Sequence, residues 1–464
     1  MVVWDFLIYL TGWPLVLLLF VGGLYFTIRT KCPQFRLFFE SIRVINEKPS
    51  IKGSVSSFGA LMVSTASRVG TGNIVGVSTA ICMGGPGAVF WMWFCAIIGG
   101  ASALVESTLA QIYKRRKPNG DSYGGPAYYI ETVLHNRVLA IAFVLALIFT
   151  YAVGYNMLAS YNIQSVFSGY NFYSKKFAII IGAVVALLFL YTILGGGNRL
   201  IKVTSFLVPI MGFIYVLLSI VALILNFHNV PGMFAIIFNN AFDFKAIFGG
   251  FSGSCLMYGF KRGLFSNEAG IGSAPNAAAA ANVSHPVKQG LVQMFSVFID
   301  TIIICSATAF MCLCSGVEPA NNLAGAPFIQ LALSKTFGTV GPIFVIIAML
   351  LFGFTTLLGN FYYVENGFDY LWQKAPNKNF MLCVRLVGAL LVFLGAVVPF
   401  DFVWNMADIS QFILASINIP VCILLGSVVY KALDNYILQK CSGTETKFNA
   451  KKDAGVKENT DFWN

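Results

Sequence analysis

Ser67-Arg68-Val69-Gly70-Thr71-Gly72-Asn73-Ile74-Val75-Gly76-Val77-Ser78-Thr79-Ala80 lies inside an apolar run long enough to cross a bilayer, yet it carries an arginine, an asparagine and three glycines. A lipid-facing helix would not choose those residues. In hydrocarbon every backbone N–H and C=O must find an internal partner, so a Gly-rich interruption survives only where protein or a wet cavity satisfies it. Interrupted spans of this kind build the midplane sites of secondary transporters.

A second stretch shares the pattern. Arg68, Asn73, Gly76, Thr79 and Ala80 follow the spacing R-x4-N-x2-G-x2-[ST]-A, and Arg262, Asn267, Gly270, Ser273 and Ala274 repeat it. Arg and Asn are scarce in membrane spans, so their shared register is read as an internal repeat, against chance agreement in a Gly- and Ala-rich chain.

Composition sets the class. Hydrophobic residues make up 57% of the 464 and charged residues only 11%, where a soluble domain carries about 25% charged residues. With a mean hydropathy of +0.76 and many long apolar runs, the expectation is an all-α, polytopic helical membrane protein. The formal charge of +11 does not indicate nucleic acid, because the basic residues gather in short segments between apolar runs rather than on one aromatic-laced face. Ten cysteines are scattered, mostly inside spans; only Cys312 and Cys314 are close, and no histidine accompanies them. That pattern suits small core residues better than a metal site or a disulfide framework. The first 20 residues lack a basic n-region and a small-residue cleavage site, and read as an uncleaved helix.

Eleven spans can be drawn: 6–28, then 58–83, 88–113, 138–165, 177–194, 203–226, 250–281, 291–314, 340–369, 380–398 and 403–433. With the first terminus outside, the cytoplasmic segments hold Arg29, Lys31, Arg36, Arg43, Lys48, Lys52, 114–117, Arg199, Lys202, Lys288, Lys374, Lys378 and a basic tail. The outer loops hold only Lys175, Lys176, Lys245 and Lys335. This asymmetry supports a multi-pass protein of the cell membrane with its N-terminus outside and its C-terminus cytoplasmic. The interrupted spans are the first and sixth of the ten that follow the opening helix. Five spans lie between their starting points, so the halves insert with opposite orientation, a 5+5 inverted repeat suited to alternating access. The resulting divisions are 1–52 (opening helix and basic segment), 53–249 and 250–433 (the two repeats), and 434–464, a polar cytoplasmic tail expected to be disordered.

The motifs Gly70-Thr71-Gly72-Asn73-Ile74-Val75-Gly76-Val77, Gly84-Gly85-Pro86-Gly87-Ala88-Val89-Phe90-Trp91-Met92-Trp93, Gly124-Gly125-Pro126-Ala127-Tyr128-Tyr129-Ile130 and the long run from Gly259 to Pro275 carry a resemblance to the alanine or glycine:cation symporter family, also called the sodium:alanine symporters. The likeness extends from the opening helix to about residue 430. It implies a leucine-transporter-type fold and sodium-coupled uptake of a small neutral amino acid. The chain departs from the family where members often carry Gln in the third core span, reading Asn156-Met157-Leu158-Ala159-Ser160-Tyr161, and where some carry Trp in the eighth, having Asn360. Both positions resemble substrate-pocket sites, which leaves a larger neutral amino acid such as serine or glutamine as the alternative.

A zwitterion needs both its charges satisfied away from bulk water. Half-helix N-termini offer free N–H groups and a positive dipole end to a carboxylate; Thr71, Gly72 and Asn73 are the candidates, with close helix packing through small residues as the competing account. The ammonium and side chain are expected at Phe265, Ser266, Asn267, Gly270 and Gly272, although Asn267 also suits a helix cap. The resemblance adds Thr356 and Asn360 to this substrate set. It also implies a sodium site in which the carbonyls of Ala66 and Val69 face the hydroxyls of Thr355 and Thr356; back-bonding of those hydroxyls to their own helix is the alternative.

Charges inside spans cost about 2.5–3.5 kcal/mol each on insertion scales, so pairing is expected. Arg68 or Arg262 is expected to pair with Glu268 or Glu106, as a gate or as a static brace. His135, His228 and His285 fall in loops or at span ends, which favours sodium over proton relay through histidine as the coupling, with no other cofactor. A membrane enzyme or a channel is the rival class, but no HExxH, G-x-S-x-G or shared Cys/His pair is present. The partners implied are the amino acid, sodium and the lipid bilayer, without nucleic acid; nothing marks an oligomeric state.

Overall fold

The computed structural model describes residue 9 and residues 11–47, 54–116, 120–250, 254–372 and 376–464. The start of the opening span before Tyr9, and Lys48, Lys52, Lys117 and Lys374, lie outside these. The chain opens with α1 (Trp13–Arg29) and a short amphipathic helix, α2 (Phe38–Ile45). Next come α3 (Ser57–Arg68) and α4 (Gly72–Gly84), then α5 (Ala88–Ile112), α6 (Pro126–Leu134), α7 (Arg137–Ser165), α8 (Lys175–Ile193), α9 (Gly196–Leu225) and α10 (Val230–Ala241). The second half holds α11 (Cys255–Asn267), α12 (Ala274–Ala280), α13 (Pro286–Cys314), α14 (Ala326–Phe337), α15 (Val340–Trp372), α16 (Lys378–Gly395) and α17 (Phe400–Cys441), followed by a short α18 (Ala450–Ala454). A two-stranded ribbon, Arg115–Arg116 with Ser122–Tyr123, joins α5 to α6.

Eight of these helices are long and apolar enough to cross a bilayer. The others cross in pieces. At about 1.5 Å per residue neither α3 nor α4 spans a hydrocarbon core of about 30 Å, and the same holds for α11 and α12. Each pair makes one crossing with an interruption near its middle, and α1 completes the eleven expected crossings. The interruptions come where the apolar runs contain them in sequence, after Arg68 and after Asn267.

The residue-by-residue repeat does not survive. Arg68 is the last residue of its half-helix, whereas Arg262 sits inside α11 and it is Asn267 that ends it. Aligning the interruptions therefore sets Arg68 against Asn267, so the shared R-x4-N spacing does not mark equivalent positions of the two half-helices.

Small residues let the central crossings approach closely. A methyl group on Gly290 of α13 would lie 2.2 Å from Thr108 Oγ1 of α5, so these backbones are nearly in contact there. The opposite surfaces are apolar and exposed, with Phe206, Phe213 and Ile224 on α9 and Leu386, Val387 and Leu390 on α16. Outward apolar faces of this kind are solvated by lipid, not by water. Three stretches of π-helix, Gly72–Gly76, Thr150–Tyr155 and Phe298–Cys305, fall inside crossings. Such widened turns re-aim side chains and free carbonyl groups, and they recur at functional sites.

The tail after α17 corrects the expectation of disorder. It turns at Gly443 and is pinned to the end of α17, where the Gln439 side chain bonds the Lys447 backbone at both its N–H and its carbonyl (2.8 Å each). Asn449 caps α18 by accepting from Lys452 N (3.0 Å), and Gly455 ends it with φ 68°. Polar composition hid the reason: Phe448, Ala450, Ala454, Val456 and Trp463 are spaced among the lysines, and all five are buried. Phe448 packs on His285 with ring centroids 4.9 Å apart. Burial pushes that histidine down to about 3, so the contact is made by a neutral ring.

Candidate interrupted-helix binding site

The first interruption is knotted by one side chain. Asn73 accepts from Gly70 N at Oδ1 (2.7 Å), closing the Gly-rich turn, while its Nδ2 donates to the Asp300 carboxylate (2.7 Å) and carbonyl (3.1 Å). Asp300 lies in the π-turn of α13 and also accepts from Ser266 Oγ and Thr301 Oγ1, both at 2.8 Å. Thus α4, α11 and α13 meet on a single buried carboxylate. Asp300 falls within the expected span 291–314, but nothing in the spacing attaches it to Asn73, 227 positions away.

Thr71 and Gly72 open α4, so their N–H groups have no acceptor one turn back in the helix. Thr71 Oγ1 accepts from Asn162 of α7 (3.1 Å). The Phe265 ring covers Gly72 so closely that a Cβ there would lie 2.9 Å from it. Tyr155 and Trp404 flank the same ring at 4.9 and 5.1 Å. Trp404 leads on to Phe400, which lines a cavity of about 340 Å³ with Val75, Asn162 and Asn321. This cavity lies at the end of the bundle opposite the tail and reaches down to the residue that holds Thr71.

At the second interruption Glu268 adopts a left-handed conformation (φ 53°), and Gly270 and Gly272 follow at φ 88° and 85°. Glycine carries no penalty there, whereas Glu268 stores strain of order 1–3 kcal/mol. The N–H groups of Gly270 and Gly272, two of the residues expected around the substrate's ammonium and side chain, donate to Glu106 of α5 (3.3 and 3.0 Å). Asn418 of α17 donates to Glu106 (2.7 Å) and to the Gly270 carbonyl (2.9 Å), and Tyr129 donates to Asn418 (2.6 Å). Asn267 caps the turn by accepting from Ala269 N (3.0 Å). The capping bond expected as the alternative for Asn267 is thus present, and its Nδ2 donates to Thr301 Oγ1 (3.3 Å).

Glu268 accepts from Ser273 (2.8 Å) and meets Ser67 Oγ at 2.8 Å, while Ser67 Oγ also lies 2.7 Å from Asn360 Oδ1. A serine has one proton to give. Turning the Asn360 and Asn156 amides end for end resolves the conflict: Asn360 then donates to Ser67, and Asn156 Nδ2, otherwise unpartnered, donates to Asn360 across their 3.0 Å contact. Ser67 is left free to donate to Glu268.

The expected charge pairs are not the ones formed. Arg262 makes a bidentate pair with Asp408 (3.1 Å twice), to which Lys261 adds a third bond at 2.7 Å, and the Arg262 guanidinium stacks 4.0 Å over Trp404. Glu106 and Glu268 are taken up by backbone, Asn and Ser donors. Arg68 donates to Gln293 (3.2 and 3.3 Å), with Nε and Nη2 unpartnered, and is the shared cation at Coulombic range of Glu106, Glu268 and Asp300. The physical reason is rotation: Arg262 is on the face of α11 toward α17, away from both glutamates. Glu365, another intramembrane acid, pairs with Arg385 (2.8 Å).

Of the expected sodium residues, Thr356 and the Ala66 backbone lie where α15 meets the first interruption, while Thr355 also reaches Met211 Sδ of α9 (3.6 Å). Thr355 and Thr356 donate to carbonyls of their own helix (2.9–3.0 Å), yet a donating hydroxyl keeps its lone pairs for a cation. Thr356 faces the interruption directly, because a Cβ on Gly70 would fall 1.8 Å from its Oγ1. A Cβ on Gly359 would lie 2.9 Å from Ser67 Cα and 3.0 Å from the Ala66 carbonyl carbon, so α15 runs against the Ala66–Val69 backbone. Gly70→Ala is therefore expected to cost about 1–3 kcal/mol by overpacking, lowering the yield of folded protein in detergent. Thr356→Ala in the same chain restores that yield but not uptake, and unchanged yield in the single variant would refute the contact.

Comparison with known proteins agrees with this architecture. Residues 2–450 match the sodium:alanine symporter family. The chain is 42% identical to the amino-acid carrier protein AlsT of Bacillus subtilis, over 97% of this chain and 95% of that one. It is 40% identical to the probable sodium/glutamine symporter GlnT of the same organism, over 94% and 90%. In fold it is similar to MhsT in complex with L-phenylalanine, with a TM-score of 0.57 at 16% identity over 84% of this chain and 90% of that one.

Proposed function

Since the chain belongs to the sodium:alanine symporter family, we propose that it takes up a small neutral amino acid of the alanine or glycine class with sodium, by alternating access around the two interrupted crossings. The observation that carries this reading is the charge balance of their meeting point. Glu106, Glu268 and Asp300 are all buried there, against Arg68 as the shared cation. Three buried carboxyl groups set against one guanidinium in a low-dielectric site favour the entry of a further cation, and an ammonium group and a sodium ion are both suitable.

In this reading the substrate carboxylate faces the opening turn of α4 at Thr71 and Gly72, where N–H groups and the helix dipole favour an anion. Its side chain lies against Phe265, and the crowding of Phe265, Tyr155 and Trp404 favours a small one. Sodium takes the Ala66 and Val69 carbonyls with Thr355 and Thr356; Asp300, Asn73 and Ser266 supply further oxygens at the other side of the turn. Arg262 with Asp408 closes the side that faces the 340 Å³ cavity. The basic loops and tail lie toward the cytoplasm, as their charge suggests, and 53–249 and 250–433 act as the two repeats.

The polar pair Asn156 and Asn360 favours a second reading, a larger amide substrate, in keeping with the similarity to the probable sodium/glutamine symporter GlnT. Uptake of labelled alanine into proteoliposomes decides between them. Excess glycine and alanine are expected to compete, glutamine is not, and removal of sodium stops uptake. Competition by glutamine but not by glycine supports the second reading, and unsaturable flux or flux without sodium overturns both.

A further inference from the structure

We propose that the segment after α17 is a strap that holds the basic end of the carrier shut, and that its release precedes opening on that side. The strap rests on the alternating-access reading above, and goes beyond it in naming a part whose anchor, Asp461 to Trp463, lies past residue 450, where the family match stops.

The strap ends in a built anchor. Asp461 bonds Arg115 through its carboxylate (3.3 Å), accepts from Arg116 N (2.9 Å), and offers its carbonyl to the Arg116 guanidinium (3.1 Å). Phe462 lies under both Arg116 (4.4 Å) and Lys114 (4.6 Å), close enough for cation–π attraction. Trp463 is buried, and its indole N–H donates to the Gln111 carbonyl (2.7 Å). The Trp463 carbonyl accepts from Ala450 N (2.7 Å), which closes the segment into a loop around α18. A tryptophan that satisfies its only polar group this way is a positioned side chain, not an adhering one.

What lies beneath the anchor makes it a strap. Gln111 and Lys114 both reach the Ala281 carbonyl, at 2.9 and 3.0 Å, and so clamp the end of α12 to the end of α5. The next residue, Asn282, donates to the Val55 carbonyl (2.9 Å), at the head of α3. The near ends of both interrupted crossings are thus tied to each other and to the floor on which Trp463 sits. Any opening on this side must part Val55 from Ala281, or carry α12 away from Gln111 and Lys114. Either movement disturbs the surface that Phe462 and Trp463 cover.

The test reads accessibility rather than transport, so failure of the strap is distinguishable from failure of the symport reading. In the full chain with the exposed Cys32, Cys383 and Cys441 replaced by Ser, Ala278→Cys places a thiol on α12. Labelling by a membrane-impermeant maleimide is measured from the tail side in inverted vesicles. Phe462→Ala/Trp463→Ala is expected to raise the labelling rate about tenfold by removing cation–π and hydrogen-bond contacts. Trp463→Phe, which keeps a ring but loses the N–H, gives an intermediate rate. Equal rates in all three chains at equal membrane abundance would overturn the strap. So would faster labelling of a second reporter, Val75→Cys on the opposite side, to the same extent, since that signals general loosening.

Discussion

Asp300→Asn reduces sodium-driven uptake by at least about 100-fold while the protein still reaches the membrane. The substitution preserves size and can preserve one acceptor for Asn73, but it removes the charge on which Asn73, Ser266 and Thr301 converge. Hydrogen bonds to a charged group are worth about 1.5–3 kcal/mol each, and every 1.4 kcal/mol is about tenfold in an equilibrium. Weakening two of the three therefore accounts for the size of the effect. A sodium titration of uptake separates the roles: if Asp300 helps to hold the coupling ion, half-saturation moves to much higher sodium, and the remaining uptake is restored by raising sodium but not amino acid. Ser266→Ala shifts the same curve in the same direction by a smaller factor. Normal sodium dependence in Asp300→Asn would reduce this residue to a brace for the first interruption.

The second large effect is expected at Asp408. Asp408→Asn leaves Arg262 and Lys261 facing one another without their shared counter-charge, in a place where neither has ready access to water. Breaking a buried pair by removing one partner costs about 3–5 kcal/mol, because the stranded charge is the expensive product. Uptake falls by about 100-fold or more, and membrane abundance falls with it. Arg262→Lys tests geometry at constant charge. It loses the two-pronged contact with Asp408 and the flat stack on Trp404, so about a tenfold loss with near-normal abundance is expected. Wild-type uptake in both variants would remove this pair from any gating role.

The positions of the crossings and of their two interruptions were legible in the amino-acid order. A bilayer constrains the chain along one axis, and both apolar length and the presence of Gly, Arg or Asn inside a span are local properties that one axis reads directly. The Gly-rich turns followed from the same local signals, whereas the crowding of Phe265 against Gly72 and of Thr356 against Gly70 appeared only in the packed structure. Partner choice was not legible either. Which acid meets which base depends on the rotation of each helix about its axis and on close approaches such as Gly290 against Thr108, contacts between segments far apart in the chain. Hence Arg262 found Asp408 rather than a glutamate, Glu106 took the backbone of the second interruption, and the matched R-x4-N spacing fell at different places relative to the two helix ends. The tail shows the same division: its few apolar residues were too sparse to register as a helix or a core, and only the surface waiting beneath them, made of Gln111, Lys114 and His285, decided that they would be buried.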